Sequence, residues 1–125
     1  MLLSDTRILV AEDDPDQLDF IKTVLEDNGA DVIVAHNGTE ALEMARSSQP
    51  DAMTLDISMP GMDVMDLLGE LKHDPNFSDL KICIVSGRPE LRLVLSDRHL
   101  NAKAYLDKPF TEDDLVRGLL GLLGR

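Results

Sequence analysis

The stretch ILVAEDDPDQ, residues 8–17, runs four apolar residues straight into an acidic group made of Glu12, Asp13, Asp14 and Asp16. An unbroken aliphatic run marks a strand buried on both faces. Carboxylates at its end repel one another, and burial raises their pKa values unless something positive arrives. Part of the charge has a local reason. Asp14-Pro15 starts a helix, with Asp14 as its N-cap and Asp16 against the positive end of the helix dipole. Glu12 and Asp13 lie closer to the strand, and helix capping leaves them unexplained.

Outward from this stretch the same alternation recurs. Strands are predicted at RILVA (7–11), DVIVA (31–35), DAMTLD (51–56), KICIVS (81–86) and AYLD (104–107). Helical patterns separate them. The first opens at Pro15, turns Leu18, Ile21, Val24 and Leu25 inward, and ends at Asn28-Gly29. A second runs from Thr39 with Ala41, Leu42 and Ala45 inward, and a third from Met62 with Val64, Leu67, Leu68 and Leu71. A fourth spans Pro89 to Asn101, and a fifth follows Thr111, where TEDD supplies an N-cap and an acidic first turn. Gly118, Gly121 and Gly124 recur at every third position of that last helix, which reads as a fraying end. Regular βα alternation implies an α/β fold: a five-stranded, doubly wound parallel sheet of flavodoxin-like order 2-1-3-4-5 with five helices. Ligands in such sheets bind beyond the carboxyl ends of the strands, at the switch between strands 1 and 3.

The 125 residues suit one domain, 1–125, with its core at about 7–120. Twelve basic against 24 acidic residues leave a net charge of −12, which argues against direct contact with nucleic-acid phosphates. The single cysteine, Cys83, sits in the apolar run ICIV and reads as a core filler. With no signal-peptide pattern and no long apolar span, the expectation is a cytoplasmic chain with no membrane insertion, a monomer or weak dimer. His36, His73 and His99 lack metal-ligand spacing and read as surface or loop residues. Met53, Met59, Met62 and Met65 surround the Asp56 segment and read as adaptable packing.

The carboxyl ends of the predicted strands make a short inventory. Strand 1 ends in Glu12-Asp13, strand 3 in Asp56, strand 4 in Ser86 and strand 5 in Lys108. Three carboxylates, a hydroxyl and an ammonium thus meet on one rim, which suits a hard cation such as Mg²⁺. A carboxylate beside such a metal can attack phosphorus, and the transferred group needs positive charge and donors around its oxygens. Lys108 and Ser86 are the candidates to supply them. Taken singly, Asp56 also reads as a turn residue before Met59-Pro60-Gly61, Ser86 as a strand end, Lys108 as a solvated loop lysine and Tyr105 as an edge-strand aromatic.

The segments ILVAEDDP, DAMTLDISMPGMD, ICIVSG and AYLDKPF resemble, in order and spacing, the receiver domains of two-component response regulators, over about residues 7–120. The resemblance implies that Asp56 is the phosphoacceptor, that Glu12, Asp13, Asp56 and the backbone carbonyl of Ser58 bind Mg²⁺, and that Ser86 and Lys108 contact the phosphoryl oxygens. It implies a cis Lys108-Pro109 peptide, a switch formed by Ser86 and Tyr105, and a phosphoryl lifetime set by Ser58 and Arg88. The expected donor is a sensor histidine kinase or phosphotransfer protein, and the altered surface then switches binding of a downstream protein. The chain is thereby expected to be no enzyme beyond its own phosphorylation and dephosphorylation. Two departures stand out. Val64 replaces the usual Gly after MPGMD, bearing on the entry to the third helix, and Asn101-Ala102 replaces the usual GA before strand 5, bearing on the signalling surface.

Two other classes compete. A phosphorylation-independent binding module of the same fold would be favoured by loss of a site residue, and none is lost. A metal-dependent aspartyl-phosphate phosphatase needs a second acid near its nucleophile, where this chain has Ser58.

Overall fold

Aliphatic runs without polar alternation require cover on both faces, and the computed structural model, which describes residues 1–59, 63–77, 79–88 and 102–125, provides it. Strands β1 (Arg7–Ala11), β2 (Asp31–Ala35), β3 (Ala52–Asp56), β4 (Lys81–Ser86) and β5 (Ala102–Asp107) form one sheet, ordered β2-β1-β3-β4-β5. Every pairing is parallel. The expected doubly wound order is the one found.

Alternate residues of each strand serve opposite cores. Leu9, Met53, Leu55, Ile82 and Ile84 pack with Leu42 of α2 (Gly38–Ser48) and with Leu67, Leu68 and Leu71 of α3 (Val64–His73). Ile8, Val10 and Cys83 pack with Ile21, Val24 and Leu25 of α1 (Pro15–Asp27) and with Leu115 and Leu119 of α4 (Glu112–Leu123). Cys83 is fully buried, and burial pushes its thiol up to about 12, as befits a core filler.

Local chemistry sets the helix ends. The Asp14 carboxylate accepts from the Asp16 amide at 3.1 Å, and Gly29, at φ +95°, turns the chain after the Asn28 cap. A Cβ on Gly29 would stand 2.7 Å from the Met1 Cβ, so both the angle and the space call for glycine. Helix α2 begins at Gly38 rather than Thr39, because the Asn37 side chain caps it by accepting from the Glu40 amide. Helix α3 begins at Val64 under the Asp63 cap, later than the Met62 start that periodicity suggests. Thr111 and Asp114 form a reciprocal capping box at the start of α4.

Three expectations shift. Strand β3 starts at Ala52 because Asp51 turns its carboxylate onto the Arg7 amide, 2.8 Å away. Strand β5 starts at Ala102, two residues early, across a register irregularity at Ile82/Cys83. Helix α4 does not fray at Gly118 or Gly121 but continues to Leu123, where Gly124 caps it at φ +73°. Buried Leu115, Val116 and Leu119 outweigh the low helix propensity of those glycines. The helix expected over Pro89–Asn101 lies outside the described residues. Four α-helices are present among the described residues, none long and apolar enough to cross a membrane.

Candidate functional site

Main-chain bonds beyond the strands carry the acidic and basic side chains onto one rim. The Glu12 amide donates to the Ala35 carbonyl at 3.0 Å, which prolongs β1 by one residue alongside β2. At the far side the Lys108 amide donates to the Ser86 carbonyl at 2.7 Å and ties the turn after β5 to the end of β4. Asp56 closes β3, the central strand.

Glu12, Asp13 and Asp56 each bring a carboxylate oxygen within 4.8 Å of the others. Glu12 and Asp56 are buried, while Asp13 is exposed. The Lys108 ammonium stands between the two buried acids, 3.5 Å from Glu12 Oε1 and 3.6 Å from Asp56 Oδ2. Both distances exceed the 2.7–2.9 Å typical of a charged N–H···O bond, so the cation serves the pair without completing either. One Asp56 oxygen is held: the Ser58 amide donates to Oδ1 at 3.0 Å.

Glu12 is the least satisfied group of the rim. It is 1% exposed, and neither of its side-chain oxygens has a hydrogen-bond partner. Its carboxyl is pushed up to about 8, first by burial and then by the neighbouring Asp56, with Lys108 opposing. A buried acidic pair facing one ammonium, with orphaned oxygens, is the donor set of a hard divalent cation. The residues therefore fit the metal.

The other predicted site residues lie nearby in different roles. The buried Ser86 hydroxyl is engaged by the backbone of Arg88, accepting from its amide at 2.8 Å and donating to its carbonyl at 3.2 Å. Arg88 and Ser58 are exposed on the same rim, and the Lys108-Pro109 peptide is cis. Tyr105 is half-buried on β5 and packs against the core under α2 and α3. His36 is exposed and pairs with Glu40 at 2.9 Å, His73 is exposed, and His99, Met62 and Asn101 lie outside the described residues. The side chain of Val64 is outside them too.

Sequence reasoning missed one feature beside the rim. Phe20 of α1 packs its ring against Phe110, two residues beyond Lys108, with centroids 6.0 Å apart and planes at 49°. Phe20 falls beside the Ile21-Val24-Leu25 face, where helical periodicity assigns it no partner. An open hollow of about 440 Å³, bordered by Asp5, Arg7, Asp31 and Asp51, lies at the opposite, amino end of the strands. Asp31 and Asp51 are tied to Arg7, and among the described residues the three converging carboxylates are at the carboxyl end.

The sequence is 35% identical over 119 residues to the response regulator MprA of Mycobacterium ulcerans, an alignment covering 95% of this chain and 50% of that protein. The chain thus spans about half the length of the curated relatives it matches. A putative response regulator from Chloroflexus aurantiacus superposes with a TM-score of 0.88 at 28% identity, over 96% of this chain and 98% of that one. The Thermotoga maritima response regulator protein TrrA, in complex with Mg(2+)-BeF, gives 0.83 at 32% identity, over 94% and 98%. The family model for the response regulator receiver domain matches residues 8–119. The chain belongs to that family, the phosphoacceptor module of two-component signalling.

Proposed function

We propose that Asp56 is the residue that accepts the phosphoryl group, from the phosphohistidine of a sensor histidine kinase or phosphotransfer protein. The observation that carries this reading is the buried Asp56 carboxylate, oriented by the Ser58 amide, with the Lys108 ammonium 3.6 Å away. An Asp56 oxygen attacks phosphorus, the bond from phosphorus to the donor's imidazole nitrogen breaks, and the imidazole leaves and takes up a proton. Lys108 stands where it can pair with the incoming phosphoryl oxygens, and its present partners, Glu12 and Asp56, hold it at that edge.

Glu12, Asp13, Asp56 and the Ser58 carbonyl would hold Mg²⁺, which supplies positive charge against the phosphoryl oxygens when bound. The TrrA complex with Mg(2+)-BeF supports this assignment. The Ser86 hydroxyl would exchange its Arg88 backbone partners for a phosphoryl oxygen, drawing the end of β4 inward, and Tyr105 two strand positions from Asp107 would follow. Ser58 and Arg88, exposed at the mouth, would set how readily water reaches the acyl phosphate. Residues 1–125 act as one receiver unit in the cytoplasm, and the changed surface binds or releases a downstream protein. Receiver domains are not enzymes in the ordinary sense, and here turnover is confined to the chain's own Asp56.

Mass spectrometry after incubation with acetyl phosphate and Mg²⁺ tests the reading. One phosphoryl group is expected on the wild type and none on Asp56→Asn. Equal uptake by both proteins refutes it.

A further inference from the structure

We propose that Phe20 is a positioning residue for Lys108, acting through Phe110. The inference deepens the reading of Asp56 as phosphoacceptor and rests on it for its kinetic consequence.

Lys108 carries its charge on a flexible four-carbon stem, and its ammonium lies beyond good hydrogen-bond length from both Glu12 and Asp56. Contacts at the tip are therefore loose, and the place of the charge depends on the backbone that bears it. That backbone is fixed on one side by the Lys108 amide bond to the Ser86 carbonyl. On the other side Pro109 is exposed, and the capping box of α4 begins at Thr111. Between them Phe110 is half-buried, and its ring lies against Phe20 at a separation and tilt characteristic of attractive aromatic pairs.

Phe20 sits on the helix that leaves the acidic end of β1: Asp14, directly after Asp13, is its cap. The two rings thus join the segment bearing Glu12 and Asp13 to the segment bearing Lys108. Opposite charges of the rim are held at a set spacing by an apolar contact outside it. The helix face that fills the core consists of Ile21, Val24 and Leu25, whereas Phe20 is only partly buried beside it. Shortening Phe20 frees the Phe110 ring and loosens the turn at Lys108, while the core face of α1 stays in place.

The test compares Phe20→Ala, Phe20→Tyr and Val24→Ala, the last removing a buried side chain from the same helix. Two quantities are read: the initial rate of phosphorylation by saturating acetyl phosphate with Mg²⁺, and the NMR resonance of the Lys108 ε-carbon. Phe20→Ala is expected to slow phosphorylation on the order of tenfold and to move the Lys108 resonance toward that of a free lysine. Phe20→Tyr, which keeps the ring, restores both. Val24→Ala lowers the melting temperature and leaves the resonance in place and the rate within about twofold of wild type. Phe20→Leu replaces the alanine variant if that one does not fold. A Phe20→Ala resonance and rate like wild type, or equal losses in Val24→Ala, overturn the proposal. If the wild type takes up no phosphoryl group, the phosphoacceptor reading fails. The Lys108 resonance then decides the positioning alone: displacement in Phe20→Ala but not Val24→Ala supports it, and no displacement overturns it.

Discussion

The two ends of the sheet treat their charges in opposite ways. At the amino end, the Arg7 guanidinium stands 3.3 Å from Asp31 and donates to the Ser48 carbonyl at 2.7 Å. The Arg7 amide donates to Asp51 at 2.8 Å, and these side chains are exposed. At the carboxyl end of the same strands, Glu12 and Asp56 are buried, and one lysine stands beyond hydrogen-bond length from both. The amino end is finished by its own partners. The carboxyl end is finished only in part, because neither side-chain oxygen of buried Glu12 has a hydrogen-bond partner, which suits the cation and phosphoryl group proposed for it. A protein tolerates such a defect when ligand binding resolves it.

Magnesium should produce the largest difference between the ends. Added at a hundredfold over its Kd, it is expected to stabilise the fold by about 2.7 kcal/mol, a rise of roughly 10 °C in Tm. Asp13→Ala should remove most of that rise, whereas Asp31→Ala should leave it intact. Thermal melts with and without Mg²⁺ measure both, and an equal rise in Asp13→Ala breaks the contrast.

Glu12 gives a smaller effect with a definite sign. Folded Glu12 holds its proton up to about pH 8, while the unfolded chain releases its own near the ordinary glutamate value of 4.5. The native state binds more protons across that window, so its stability without metal falls as pH rises from about 5 to about 8. Glu12→Gln removes the slope and is expected to stabilise the metal-free protein by about 2 kcal/mol at the upper end. Urea titrations at several pH values check this. A slope unchanged in Glu12→Gln would show that the buried carboxyl is not its source.

The amino end should give the smallest response. Asp31→Ala breaks an exposed ion pair and is expected to cost less than about 1 kcal/mol in urea denaturation, with Mg²⁺ affinity unchanged. A larger loss would mean that Arg7 and its partners fasten the sheet rather than merely finish its edge.

Much of this architecture was legible in the residues. Aliphatic runs at 7–11, 31–35 and 81–86 became strands with those bounds, and Pro15, Asn28-Gly29 and Thr111 marked helix ends where helix ends lie. These signals act within a turn or two of chain, where propensity, capping and burial period operate. The list of rim residues was legible for a related reason. Parallel strands joined by right-handed crossovers bring every carboxyl end to one side, so naming the ends names the neighbours.

What the neighbours do to one another was a matter of packing. Adjacent Glu12 and Asp13 look alike in sequence, yet one is sealed without a hydrogen bond and the other faces solvent. Ser86 lies on the rim, yet its hydroxyl is engaged by the Arg88 backbone. Leu3, before the first strand, is fully buried with its amide bonded to the Asn28 carbonyl, and Arg125 donates to the carbonyls of Leu2 and Ser4. Phe20 meets Phe110 only because α1 and α4 cover the same face of the sheet. By itself the sequence determined the elements, their order and the chemistry gathered at one rim, because those follow from short-range preference and connection handedness. Only the tertiary structure decided which carboxylate is buried, where the shared lysine stands and which rings meet beside it, because those depend on side-chain contacts between segments distant in the chain.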